Sequence, residues 1–347
     1  MKIQDIGEQG LLKILQRFCP QEVIGDDAAV LPILPDQSLV VTTDVLVDNV
    51  HFSETTTTAK DAGWRAAAAN LSDLAAMGAS PLGITVGLGL RGDVPVDWVE
   101  DLYQGMTECL KQYNTPIVGG DIVRSPVITI SITAFGQVFP QRAIRRNQAK
   151  VGDAIVVTGV HGASRAGLEL LLHPEEGKNL TEKEKQTLIS AHQRPKPRLD
   201  ILPLLWKVLN SINSVNSTNS TDSTPDYSFP ISGMDSSDGL ADALVQVCHQ
   251  SRVGAIIQRE KIPTPQSLEH WLQPDKILEY ALYGGEDFEL VLCMSKELAN
   301  ALVRQLGNGA VVIGTITTDT NVLLQSKNEK FPDQVLNLSQ GFQHFGS

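Results

Sequence analysis

Hydrophobic and polar positions along the chain switch repeatedly between two periods, in segments short enough to place strands beside helices. Over residues 128–134 the apolar Ile128, Ile130, Ile132 and Ala134 alternate with Thr129, Ser131 and Thr133. A period of two predicts a strand with one buried and one polar face. Val99, Leu102, Met106, Leu110 and Tyr113 recur at helical spacing instead, which predicts a helix over 97–113. Asp97 with Glu100 gives it a capping box, and Asn114 and Pro116 end it. A second helix is predicted over 60–77, with Trp64, Leu71 and Leu74 on its apolar side and Gly78 and Pro81 closing it. Its other side carries Ala66, Asn70 and Asp73, a small and polar face that another backbone or a ligand can approach closely.

Such mixing of strand and helix patterns predicts an α/β or α+β architecture rather than a helical bundle or a sandwich. At 347 residues the chain is long enough for two domains. The polar and basic stretch PQRAIRRNQAK separates the alternating strand from a new strand at 154–158, so the predicted division is 1–140 and 150–347. Within the second part, residues 209–228 are rich in Asn, Ser and Thr without hydrophobic periodicity, and are expected to form a flexible surface loop.

Composition narrows the function. With 28 Lys+Arg against 40 Asp+Glu the formal net charge is −12, which argues against nucleic acid as a partner without excluding small phosphates. No stretch reaches the roughly 18 apolar residues of a membrane span, so no membrane association is expected, and the N-terminus lacks a basic segment followed by an apolar run. Cys19, Cys109, Cys248 and Cys293 are scattered and form no C-x-x-C pair, which fits a reducing cytoplasm.

Candidate chemistry lies in aspartates at expected strand ends, turns and helix starts: GDDAAVL (25–31), TTD (42–44), NLSDLAAMGA (70–79), GGD (119–121) and DSSDGL (235–240). One such aspartate alone is ordinarily a cap or a turn residue. Brought together, they repel unless cations neutralise them, and Mg²⁺ favours hard oxygen ligands. DSSDGL reads as a helix start capped by Ser237 or Asp238, whose free N–H groups also suit a phosphate. The glycines of GGD either admit a nucleotide close to the backbone or form a plain turn. Arg146, clustered with Arg142 and Arg145, reads as a phosphate clamp or as part of a solvated linker. GGEDFEL (284–290) puts Glu286 and Asp287 at the entrance to an apolar strand, where ligand-orienting groups often sit, although a hairpin turn has the same look. His51 in DNVHF is either a ligand contact or a structural histidine.

Gly87, Gly89 and Gly92 spell G-x-G-x-x-G, yet DVPVD follows instead of a helix opening, so the dinucleotide fingerprint lacks its setting. No G-x-x-x-x-G-K-[ST] and no protein-kinase H-R-D or D-F-G set occurs, so ATP, if bound, is held another way.

Taken in order, GDDAAVL, TTDVLVDNVHF, NLSDLAAMGA, GGD, DSSDGL and GGEDFEL resemble the motif series of the thiamine-monophosphate kinase family, within the aminoimidazole ribonucleotide synthetase-like superfamily. The resemblance implies an N-terminal α/β domain, a C-terminal α+β domain and a homodimer joined through the N-domain sheets. It implies magnesium ligands at Asp27, Asp44, Asp73, Asp121, Asp235 and Asp238, with Thr42 and Thr43 supporting the cluster. Nucleotide contacts are implied at Tyr103, Gly120, Asp121, Arg146 and Ser237. Contacts to the thiamine side are implied at His51, Glu286 and Phe342, with Phe342 and Glu286 receiving the thiazolium cation. The implied reaction moves the γ-phosphoryl group of ATP, as co-substrate with several Mg²⁺ ions and a monovalent cation as a further possible cofactor, to thiamine monophosphate. Other readings are another ATP-using enzyme of the superfamily and a non-catalytic nucleotide sensor.

Overall fold

The computed structural model of the chain describes all residues except 22, 25–27, 218–229, 308, 328–331 and 339–347. Its first part runs α1 (Ile3–Leu15), β1 (Ser38–Val47), α2 (Ala59–Ala76), β2 (Ser80–Leu90), α3 (Val96–Lys111), β3 (Ile117–Arg124) and β4 (Thr129–Val138). The four strands form one sheet in the order β1-β4-β2-β3, in which only the β2–β3 pair is parallel. Along β4 the alternation read from the sequence holds: Ile130, Ile132 and Ala134 are fully buried, and the threonines and serine between them are not.

The second part contains β5 (Ala154–Val157), α4 (Ala163–Leu172), α5 (Glu182–Gln193), α6 (Ile201–Ser217), β6 (Ser232–Asp235), α7 (Leu240–Ser251), β7 (Gly254–Gln258), α8 (Pro274–Tyr283), β8 (Leu290–Met294), α9 (Lys296–Leu306), β9 (Val311–Thr317), β10 (Val322–Gln325) and β11 (Gln334–Val335). Its seven strands lie in the order β11-β10-β7-β9-β5-β8-β6. The largest apolar cluster does not stop between the two sheets. It continues from α2 and α3 to Leu202 and Leu205 of α6, Leu298 and Leu302 of α9, and the alternate residues Leu290, Leu292 and Met294 of β8. Val291 and Cys293 point to a second cluster on the other face of that sheet. The two sheets therefore share a core instead of each closing its own.

Helix α2 is buried nearly all round. Its approach to α3 is close because glycine faces backbone in both directions: a Cβ on Gly63 would lie 1.8 Å from the Leu102 carbonyl oxygen, and one on Gly105 1.7 Å from that of Lys60. Thr58 caps α2, its hydroxyl accepting from the Asp61 N–H at 3.2 Å.

Local details depart from the sequence reading where a distant partner competes. The Asp97–Glu100 capping box does not form: Pro95 holds the cap position of α3, and Glu100 pairs with Arg17 at 2.5 Å. Neither Ser237 nor Asp238 caps α7, which starts behind Gly239 at φ 106, because the Ser237 hydroxyl turns back to Asp235. Residues 209–217 are helical rather than loop, since Val208, Leu209 and Ile212 pack α6 onto the shared core, and residues 218–228 of the expected loop lie outside the described residues. Gly87 and Gly89 sit inside β2 rather than in a turn that opens a helix. Among the described residues no helix is long and apolar enough to cross a membrane.

Candidate active site

A cleft of about 1570 Å³ opens between the two parts, walled by the end of β1 and its following loop, α2, α4, α5, the β6–α7 turn and the segment after α8. At one end strand and helix bring the predicted aspartates together. Asp44 points from β1, and its main-chain N–H donates to Asn70 Oδ1 at 3.2 Å. One turn along α2 from Asn70 stands Asp73, which accepts a short hydrogen bond from the Thr42 hydroxyl. Between them Ser72 reaches the other part of the chain and donates to Asp235 Oδ2 at 2.6 Å, while Ser237 Oγ donates to Asp235 Oδ1 at 3.0 Å. Asp238 also lines the cleft. Thr43 does so too, with its hydroxyl 2.9 Å from that of Thr133.

These carboxyls are costly to ionise. Burial, reinforced by the charges of Asp235 and Asp238, lifts Asp44 to about 6. Burial and the charge of Asp44 lift Asp73 to about 6 against the Thr42 hydrogen bond and the charge of Arg146. Burial and Asp73 do the same to Asp235, also to about 6, against its two serine donors. Among the described residues no three acidic, histidine or cysteine side chains enclose a metal ion by themselves. An excess of poorly compensated carboxylates in an open cleft nonetheless fits Mg²⁺, whose shell is ordinarily completed by water and phosphate oxygens.

Arg146 stands beside this end: Nη1 donates to Gln246 Oε1 at 2.5 Å, and its charge is felt at Asp73 and Asp242. Gly120 and Asp121 are neither a turn nor part of the cleft wall. They lie on the edge strand β3, where Asp121 Oδ1 accepts from the Ile122 N–H at 2.9 Å and a Cβ at Gly120 would meet the Val86 carbonyl at 2.2 Å. Tyr103 is not brought to the site at all. It is 5% exposed in the core, its ring 5.4 Å from that of Phe18, because its position on α3 belongs to the apolar stripe. Asp27 and Phe342 lie outside the described residues.

The far end of the cleft is built differently. His51 Nδ1 accepts from the Val47 N–H at 3.1 Å, which fixes its ring beside the end of β1. Glu286, at φ 57, pairs through Oε1 with Arg65 Nη2 at 2.5 Å. Asp287 is turned inward, where it accepts from the N–H groups of Gly162 at 2.7 Å and Ser164 at 2.9 Å at the start of α4, and burial pushes it up to about 7. Tyr280, Tyr283 and Leu168 complete an apolar and aromatic wall. Sequence reasoning missed Arg65, Ser72 and His192. Arg65 and Ser72 flank the recognised positions on α2, and the only signal for Arg65 was a lone charge in the apolar run GWRAAAAN.

The family model for the AIR synthase related protein N-terminal domain matches residues 25–138, and that for its C-terminal domain matches 231–326. The thiamine-monophosphate kinase of Synechococcus elongatus is 49% identical over 343 residues, 99% of this chain and 98% of its own. This chain belongs to the thiamine-monophosphate kinase family. Another member, from Aquifex aeolicus, is 33% identical over 90% of this chain and 94% of its own. Among solved structures of the thiamine-monophosphate kinase family, the one from Stenotrophomonas maltophilia superimposes with a TM-score of 0.74 at 32% identity, covering 87% of this chain and 89% of its own. The complex of AaThiL with AMPPCP and TMP superimposes at 0.70 with 30% identity, covering 97% of this chain and 98% of that one.

Proposed function

We propose that this chain transfers the γ-phosphoryl group of ATP to the phosphate of thiamine monophosphate, releasing thiamine diphosphate and ADP. What carries the reading is one continuous cleft with uncompensated carboxylates at one end and the Arg65–Glu286 pair with His51 at the other, in a chain whose relatives are thiamine-monophosphate kinases. In the reaction an oxygen of the acceptor phosphate bonds to the γ-phosphorus as the bond to the β,γ-bridging oxygen breaks, and ADP departs with that electron pair. A phosphate monoester has a second pKa of about 6, so the attacking oxygen is already anionic near neutrality and needs no general base.

Asp44, Asp73, Asp235 and Asp238 would hold Mg²⁺, with Thr42 and Thr43 beside them; Asp27, outside the described residues, and Asp121, on the β3 edge away from the cleft wall, are assigned to the same set on the family motifs alone. Bound there, the ions supply neutralisation of phosphate charge. Ser72, Asn70 and Ser237 hold the acids in place across the two parts of the chain. Arg146, next to Asp73, is assigned to the nucleotide phosphates with Ser237, Gly120 and Asp121. Assay of ADP and thiamine diphosphate formation with Mg-ATP and thiamine monophosphate, with free thiamine as control, tests the reading. Equal amounts of both products from the monophosphate alone support it. ATP binding without turnover returns the chain to another superfamily substrate or to a sensor.

We assign the chain to a cytoplasmic homodimer joined through the first sheet. Strand β1 is a ten-residue edge whose outer face exposes Leu39, Val41 and Val45 at 48%, 53% and 44%, an apolar strip that a second sheet can cover. The four cysteines, all free and three of them buried, suit a reducing compartment.

A further inference from the structure

Glu286 and His51 come from opposite parts of the chain, and one side chain holds both. Arg65 stands near the middle of α2 with its side chain 3% exposed. Its Nη2 donates to Glu286 Oε1 at 2.5 Å, and its Nη1 donates to the main-chain oxygen of His51 at 3.0 Å and to Thr57 Oγ1 at 3.4 Å. A planar guanidinium fixes two such acceptors at one angle, which an ammonium on a flexible stem does not. Beneath Glu286, Oε2 lies 3.5 Å from Nδ1 of the buried His192, which also lies 3.2 Å from Ser164 Oγ. Burial first, then the charge of Arg65, push His192 down to about 4 against the pull of Glu286, so the imidazole beside the pair is neutral.

The backbone at this place is held out of its usual range. Glu286 and Phe288 both have positive φ, 57 and 53, a region that side chains other than glycine seldom occupy unless their surroundings impose it. The Glu286 N–H donates to the Ser237 carbonyl at 2.7 Å, which holds its backbone, and Arg65 holds its carboxylate. A carboxylate paired with a guanidinium also carries little net charge. What it offers a ligand is lone pairs in a fixed place, and not the bare anion that attraction of a thiazolium cation would call for.

Resting on the thiamine monophosphate reading of the cleft, we infer that Arg65 is a positioning residue for the acceptor substrate: it sets the separation of His51 and Glu286 across the two parts of the chain, and so the affinity for the thiamine end. The test is a set of initial rates on the full chain, with thiamine monophosphate and Mg-ATP varied separately, for wild type, Arg65→Gln, Arg65→Lys and the Arg65→Gln/Glu286→Gln pair. Arg65→Gln raises KM for thiamine monophosphate about tenfold to a hundredfold, the scale of loss for a group displaced by about 1 Å. KM for ATP stays unchanged within experimental error. Arg65→Lys keeps the charge without the fork and recovers only part of the loss, and the pair is no worse than Arg65→Gln alone. Both KM values rising together, or an unchanged KM for thiamine monophosphate in a variant of lowered melting temperature, would make Arg65 a structural ion-pair partner and overturn the inference. If Arg65→Gln does not fold, the same KM comparison on Arg65→Lys decides. A wild type that turns over no thiamine monophosphate removes the functional reading itself, a result distinct from either.

Discussion

The two ends of the cleft both carry acids, and the chain treats them in opposite ways. At the end proposed to receive the acceptor, Glu286 is met by a buried arginine of the same chain. At the end proposed for the phosphates Asp44, Asp73 and Asp235 raise one another, and Arg146 is the cation whose charge reaches Asp73. An acid matched by a protein cation is complete once the chain has folded. Acids left in excess form a site that only cations from solution complete, at some expense to the stability of the metal-free protein.

Asp235→Asn gives the largest effect and the sharpest form of this contrast. Losing one charge of the cluster lowers turnover about 100-fold or more, the scale seen when one charge-stabilising group of an active site is removed. The same substitution relieves repulsion, so the melting temperature measured in EDTA rises, by roughly 2–4 °C if about 1 kcal/mol is recovered. At the other end Glu286→Gln moves stability the opposite way, because Arg65 is left buried and poorly paired, and it raises KM for thiamine monophosphate by about tenfold, the scale of a hydrogen bond to a charged group. Melting curves in EDTA and a pair of KM measurements check both. If the two substitutions shift melting in the same direction, the distinction between the ends is wrong.

Dependence on pH sharpens the contrast with a smaller effect. The carboxyls of Asp44, Asp73 and Asp235 are raised to about 6 in the folded state from an unfolded value near ~3.9, so the folded chain holds more protons between these limits. Their contribution to metal-free stability is full below the unfolded value and is lost as pH rises through about 6. Buried His161 and His192, both lowered to about 4, work in the other direction over nearly the same range. Buried Asp287, raised to about 7 away from the cluster, adds to the loss, so the metal-free protein on balance loses stability as pH rises over this range. The histidines and Asp287 are alike with and without metal, so the melting difference between Mg²⁺ and EDTA isolates the aspartates of the cluster, and it widens from pH 5 to pH 7. A difference that stays constant over that range contradicts the assignment of the cluster to the metal.

How legible each end was in the sequence follows from the same physics. The aspartates of TTD, NLSDLAAMGA and DSSDGL stood out because polar residues at strand ends and on a small helical face have few structural reasons to be there. Arg65 did not, because its meaning depends on Glu286, 221 residues away. Ser72 is just as silent without Asp235, 163 residues distant. Capping was misread for a related reason: a capping box is a local pattern, and Glu100 and Ser237 are taken by Arg17 and Asp235. GGD was legible as a motif, but its place on an exposed strand edge depends on the pairing of β3 with β2. Residues 209–217 lacked periodicity, and tertiary packing of Leu209 and Ile212 made them helix all the same.

Helix α2 carries Arg65 for one end and Asp73 for the other, so it must be asked whether the two ends are independent. Thr58→Ala supplies the answer with the smallest effect. The substitution removes the hydroxyl that accepts from the Asp61 N–H and donates to Asp61 Oδ2 at 2.6 Å, a cap whose loss ordinarily costs about 1 kcal/mol. Fraying is confined to the first turn, because beyond it the backbones of α2 and α3 meet at Gly63 and Gly105 and neighbouring side chains bury the helix body. Melting temperature then falls by roughly 2–4 °C while both KM values and kcat stay as in wild type. Should KM for ATP and for thiamine monophosphate rise together in Thr58→Ala, α2 moves as one lever, and the positions of Arg65 and Asp73 are coupled through the helix instead of being set separately at the two ends of the cleft.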